Sequence, residues 1–117
     1  YSPLCFGILC IDPEKDEKRD CTFLRNALVE NYKKPTRELR RCLKNIAMKR
    51  SVSQSQVAIN WCCYQGAIPL VGMRKKSQVI DISNVFKWNL TNKEFQLLQE
   101  VSRNCLKKMP GNPFSSI

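Results

Sequence analysis

Residues 51–72 read SVSQSQVAINWCCYQGAIPLVG, and a helical period gives way to an extended one inside them. Ser53 and Gln56 have capping-box spacing, in which a hydroxyl at a helix start accepts from the amide three residues on. From there Val57, Ala58, Trp61 and Cys62 form an apolar stripe at helical intervals until Gly66 ends it. Ala67 to Val71 is a short apolar run interrupted by Pro69, compatible with a buried parallel strand entered from a helix, and Gly72 closes it. A helix feeding a buried strand is the unit of a parallel α/β architecture.

On the N-terminal side, Leu39, Leu43, Ile46 and Ala47 recur at helical spacing from Thr36, with Arg and Lys filling the other face up to Arg50. This predicts an amphipathic surface helix. Cys21 to Tyr32 reads as a short helix, and the charge-dense stretch from Asp12 to Asp20 as an exposed loop. Residues 1–11 are an apolar opening broken by Pro3 and Gly7, which suits a strand end followed by a tight loop. On the C-terminal side, Ser77 is placed to cap a short helix running to about Phe86. Thr91 with Glu94 forms a second capping box, for a helix carrying Leu98, Val101 and Cys105. Pro110, Gly111 and Pro113 mark an irregular tail. Two parallel strands with this many amphipathic helices leave apolar faces uncovered, so further strands are expected and residues 1–117 read as one partial domain. Tyr1 is not a start methionine and runs straight into an apolar segment, so the chain is expected to begin inside a longer protein.

The chain is 43% apolar, enough for a packed core, and no apolar run approaches the roughly 20 residues that cross a bilayer. A soluble, cytoplasmic protein without a membrane partner is expected. The 20 Lys and Arg against 10 Asp and Glu give a formal charge of +10, which favours anionic partners without choosing among them. Many of these cations share the basic face of the Thr36–Arg50 helix, where a solvated surface is the ordinary reading. Seven cysteines at irregular spacing, with no CxxC pair and no histidine, point to reduced, mostly buried thiols and not to a zinc site.

Several short motifs carry a resemblance. Tyr1-Ser2-Pro3-Leu4 followed by Gly7 and Leu9 resembles the end of the seventh barrel strand in aldo-keto reductases. Gln56-Val57-Ala58-Ile59-Asn60-Trp61, Ile68-Pro69-Leu70-Val71-Gly72, Gln78 and Trp88-Asn89-Leu90-Thr91 follow in that family's order and spacing. The resemblance covers nearly the whole chain and is weakest over Asp12 to Tyr32. It implies the C-terminal part of a (β/α)8 barrel, incomplete in this chain, belonging to an NADP(H)-dependent oxidoreductase that reduces aldehydes or ketones.

By the same resemblance, Tyr1 stacks on the nicotinamide ring, since a flat aromatic face fixes one side of it for hydride transfer. Ser2, Pro3 and Leu4 line the pyrophosphate. Gly72 permits close backbone approach, and Arg74, at a helix start where amides and dipole favour an anion, takes the adenosine 2'-phosphate. Lys75 and Lys76 add to the field. Gln78 and Asp81, three residues apart on one helix face, contact the adenosine end.

The departures are as informative. Ile11-Asp12 stands where the family often has Gly-Lys, replacing a phosphate-loop cation by an acid. Ile82 stands where an adenine-contacting asparagine is expected, with Asn84 nearby, and Arg19 is a candidate for the other loop cation. The family's catalytic Asp, Tyr, Lys and His lie on earlier strands, and no segment here resembles them, so no residue of this chain is expected to protonate the developing alkoxide. A small-molecule carbonyl is the expected partner of the complete barrel, and nucleic acid is not. Two other readings remain. One is a non-catalytic coenzyme-binding relative of the channel-regulating beta-subunit class, which shares an Asn-Pro element, here Asn112-Pro113. The other is a basic module using its positive helix on a polyanion.

Overall fold

The computed structural model describes residues 1–15, 22–105 and 107. Its regular elements are α1 Phe23–Lys33, α2 Arg37–Arg50, α3 Gln54–Tyr64, α4 Lys76–Ser83 and α5 Asn92–Arg103, with 3-10 segments at Cys5–Cys10 and Val85–Lys87. The expected helices are all found, with α1, α2, α3 and α5 close to their sequence bounds.

The basic helix α2 is central. Leu39, Cys42, Leu43, Ile46 and Ala47 are buried along one face, against α3 and α5, in a core completed by Leu9, Val57, Ala58, Trp61, Leu90 and Leu98. Leu43 and Leu98 have no exposed surface, so truncating either to alanine would cost about 2–5 kcal/mol. Arg40 is also buried, and its guanidinium donates to the carbonyls of Ile11 and Lys33 and to Thr36 Oγ1, tying the end of the first loop to the α1–α2 corner. Opposite the core, Arg41 and Arg37 pair with Glu14, Arg41 also with Glu38, and Lys44 with Asp12. The basic face is therefore threaded with acids. Ser51 stops α2 in the left-handed conformation, φ 54°, with its N–H on the Met48 carbonyl and that of Val52 on Ala47.

Ser53 caps α3 as expected, its Oγ accepting from the Gln56 N–H at 3.1 Å, but the Gln56 amide does not return to close the box. It donates to Asp81 and accepts from the Trp88 indole. Asn60, buried on the same helix, holds the following segment by donating to the carbonyls of Val85 and Trp88 and accepting from the Leu90 N–H. At α5 the second capping box closes fully, Thr91 and Glu94 bonding each other's backbone amides.

Three expectations need correction. Residues 1–11 contain no strand: Cys5–Cys10 is a pair of 3-10 turns meeting at left-handed Phe6 and Gly7, with Ser2 and Cys5 also at positive φ. Ala67–Val71 runs without helix or ladder, and Ile68 and Leu70 are exposed instead of buried. A strand's amides and carbonyls are satisfied by its neighbours, and no described segment lies alongside to pair with this one. The α/β class expected from sequence is thus helical among the described residues. Finally, α4 begins at Lys76 and not after Ser77, because the Gln78 side chain reaches back to cap the backbone N–H groups of Arg74 and Lys75. Arg19, most of the Asp12–Asp20 loop, and the tail with Asn112-Pro113 lie outside the described residues.

Candidate functional site

A cleft of about 740 Å³ opens between three walls. One is the left-handed loop Ser2–Gly7 with Arg25 of α1 behind it. The second is the extended segment Leu70–Arg74, and the third is the α4 face bearing Gln78, Asp81 and Ile82, closed at the back by Cys10 and Ser55. The first wall departs most from ordinary backbone. Three non-glycine residues among the first six, Ser2, Cys5 and Phe6, have φ near +50°, which costs on the order of 1 kcal/mol each and turns successive peptide groups out of register with any helix or strand.

Seven of the eight residues singled out from sequence, Ser2, Pro3, Leu4, Gly72, Arg74, Gln78 and Asp81, line this one cleft. The exception is Tyr1, which is 74% exposed and does not line it, although the trough begins at the next residue and runs to Arg74. The Tyr1 phenol is therefore not part of the cleft wall.

The electrostatics are lopsided. Asp81 is the acid of the cleft wall, and both its oxygens are engaged, Oδ2 by the Ser53 hydroxyl at 2.6 Å and Oδ1 by the Gln56 amide at 2.7 Å. The Arg74 guanidinium and the terminal nitrogens of Arg25 have no acid partner among the described residues, whereas Arg37, Arg41, Lys44 and Arg50 are all paired. The Gln78 carbonyl oxygen accepts from the Arg74 and Lys75 amides, so the donor capacity that this residue of the cleft wall retains is in its NH2 group.

Two departures noted in the sequence resolve differently. Asp12 does not line the cleft: its carboxylate accepts from Lys44 Nζ at 2.8 and 3.0 Å and from the Glu14 N–H, which hold it below the usual carboxylate range. The acid therefore does not oppose an anion there. Ile82 does line the cleft, and Asn84 does not replace it, because its amide donates to the Ile80 carbonyl as α4 ends. Arg25 was missed from sequence. The periodicity of α1 is poor, and its place on the wall depends on a bond across 19 residues, from Arg25 Nε to the Phe6 carbonyl at 2.9 Å.

Burial raises the thiols of Cys5, Cys42, Cys62 and Cys105 above the ordinary cysteine value, so they stay protonated and serve as packing groups. Among the described residues no group of His, Cys, Asp or Glu is arranged to hold a metal, and no helix is long and apolar enough to cross a membrane. Nothing described in the cleft combines a titratable group with an adjacent base. What the arrangement offers is anion recognition: strained backbone at one end, guanidinium groups from two elements, and a polar helix face at the other.

The sequence model of the Aldo/keto reductase family matches residues 1–103. The chloroplastic pyridoxal reductase of Arabidopsis thaliana is 32% identical over 116 residues, an alignment that takes in 99% of this chain and 31% of the relative. The chain thus spans about a third of the length of the curated relative it matches. No solved structure matches it. With the family's motifs spread from the first loop to α5 and seven of its expected contact residues around a single cleft, the chain belongs to the aldo/keto reductase family.

Proposed function

We propose that the protein is an NADP(H)-dependent aldo/keto reductase acting on an aldehyde or ketone, and that this chain is the coenzyme-binding C-terminal part of its (β/α)8 barrel. The observation that carries this reading is the cleft, where the Ser2–Leu4 loop, the Gly72–Arg74 turn and the Gln78 and Asp81 face meet around guanidinium charge not paired with acids. A dinucleotide needs that combination: backbone that can approach a pyrophosphate closely, fixed cations, and polar groups at the adenosine end.

In this reading Ser2, Pro3 and Leu4 hold the pyrophosphate, and Arg74 takes the 2'-phosphate through its planar fork of donors. Gln78 has two tasks: its oxygen fixes the backbone of Arg74, and its NH2 group meets the adenosine. Asp81, steadied by Ser53 and Gln56, keeps a lone pair on each oxygen for a ligand hydroxyl or amine. Tyr1, beside Ser2, is assigned the face of the nicotinamide ring. Bound reduced coenzyme supplies the hydride. No residue here is assigned the proton for the alkoxide, so the chain alone is expected to be inactive. A relative named pyridoxal reductase makes pyridoxal a first aldehyde to try.

The test is coenzyme titration of the full-length protein at low and high salt, with turnover of aldehydes including pyridoxal followed by loss of the reduced nicotinamide absorbance. NADPH is expected to bind about 10- to 100-fold tighter than NADH, since a charge-assisted contact is worth about 1.5–3 kcal/mol. Arg74→Gln should erase that ratio. Equal, salt-quenched binding of any polyanion would instead favour a basic module and overturn the coenzyme reading. Tight, selective NADPH binding without turnover of any carbonyl would overturn the enzymatic half alone.

A further inference from the structure

We infer that Arg25 is a second phosphate ligand of the cleft, supplied from α1. The inference rests on the coenzyme reading above and adds to it a residue that neither the motifs nor the comparisons assign. Four observations carry it. Arg25 lines the same cleft as Arg74 but enters from a different element, at the Ser2–Gly7 end. Its Nε is anchored on the Phe6 carbonyl at 2.9 Å, which orients the guanidinium while leaving both terminal nitrogens, four N–H donors, without an acid partner among the described residues. Phe6 sits in the left-handed turn, φ 57° and ψ 24°, so the strain of this loop presents the carbonyl that positions the arginine. Finally, Asp12 is held by Lys44 and does not line the cleft, so its charge is not set against Arg25 there.

The ligand this implies carries two separated phosphate groups. Two fixed guanidinium groups in one cleft, each without an acid partner among the described residues, suit a ligand that brings an anionic group to each. With Arg74 at the α4 start and Arg25 beside the Ser2–Leu4 loop, the pyrophosphate falls to Arg25 and the 2'-phosphate to Arg74. The two arginines therefore divide affinity from selectivity: every dinucleotide has the pyrophosphate, and only the phosphorylated one has the second group.

The experiment is a comparison of NADPH and NADH dissociation constants for the full-length wild type, Arg25→Gln, Arg25→Lys and Arg74→Gln, with inorganic pyrophosphate as a competitor and thermal melts as the folding control. Arg25→Gln is expected to weaken both coenzymes by the same factor, about 10-fold or more, leaving their ratio unchanged and abolishing competition by pyrophosphate, with Arg25→Lys recovering part of the loss. Arg74→Gln should change the ratio instead. Unchanged affinities in Arg25→Gln, or a loss confined to NADPH, would overturn the assignment while leaving the coenzyme reading intact. If the wild type binds neither coenzyme, both fall together. Arg25 is partly exposed on a helix whose main contact is the 3-10 segment, so the melts should be unaltered, and a shared loss of stability would mark a structural role and count against the inference.

Discussion

Glu94 should contribute to the protein's loss of stability in acid, and that share of the loss should vanish when its charge is removed. Its carboxylate is held in a fork by Arg50, Nε to Oε1 at 3.0 Å and a terminal nitrogen to Oε2 at 2.6 Å, while Oε2 also accepts from the Thr91 N–H and hydroxyl. The pair joins the last turn of α2 to the first turn of α5. Each charge therefore sits at the helix end whose dipole favours it. Arg50 in turn lies 5.0 Å from the centre of the Trp88 ring. These contacts, Arg50 foremost, lower the Glu94 carboxyl from 4.5 to about 2.

Lowering a carboxyl's titration midpoint on folding stabilises the fold by about 1.4 kcal/mol per pH unit, so the ceiling here is roughly 3 kcal/mol. The two side chains are 25% and 20% exposed, and solvent screening reduces the expected contribution to about 1–2 kcal/mol. Because the folded value is the depressed one, this stability is fully present above the unfolded value of 4.5 and is lost as the pH falls towards 2. Glu94→Gln keeps the shape and an amide oxygen for the Thr91 N–H, so it removes the charge with little change to the cap. Urea unfolding from pH 7 to 2.5 should show the wild type more stable by about 1–2 kcal/mol at neutral pH, with the two curves converging below about pH 4. Parallel pH profiles for the two proteins would refute the reasoning, because the advantage would then not come from the ionised carboxylate.

Three further outcomes follow from other contacts. Ser51→Gly should raise stability by about 0.5–1 kcal/mol, since the left-handed cap of α2 penalises a side chain, and chemical denaturation would detect it. Asn60→Ala should cost about 3 kcal/mol by stranding the Leu90 N–H and the carbonyls of Val85 and Trp88, and a cost below 1 kcal/mol would mean water replaces the amide. Asp12→Asn should change NADPH affinity by less than about twofold, because the carboxylate is spent on Lys44 outside the cleft; a strong gain in affinity would show that its field reaches the phosphate after all.

The helices were legible because their signals are local. Leu39, Leu43, Ile46 and Ala47 state the period of α2, and Ser53 and Thr91 mark where α3 and α5 start. The strand signal at Ala67–Val71 is equally local, but a strand is satisfied only by a neighbour, and its alternating Ile68 and Leu70 lie exposed with no strand beside them among the described residues. The cleft was legible as a set of motif residues and not as a charge distribution. Nothing local tells that Gln56 leaves its own capping box for Asp81, or that Arg25 bonds a carbonyl at Phe6.

The cleft keeps its form although no strand among the described residues pairs with the segment along its second wall. The Leu70–Arg74 wall is fixed at its two ends by contacts that belong to helices. At its start the Ala67 N–H bonds the Cys62 carbonyl past the end of α3, and at its finish the Gln78 oxygen takes the Arg74 and Lys75 amides at 2.8 and 3.1 Å. The α4 face is tied to the α3 start in turn through Asp81, Ser53 and Gln56, and Gln56 reaches on to Trp88 beside the Arg50–Glu94 pair. The Arg74 backbone is thus held by α4, whose face is bonded to the start of α3, and no strand among the described residues takes part. A strand laid against Ile68 and Leu70 would cover apolar surface and satisfy backbone without having to build the cleft, because contacts among the helices already hold Arg74 on its wall.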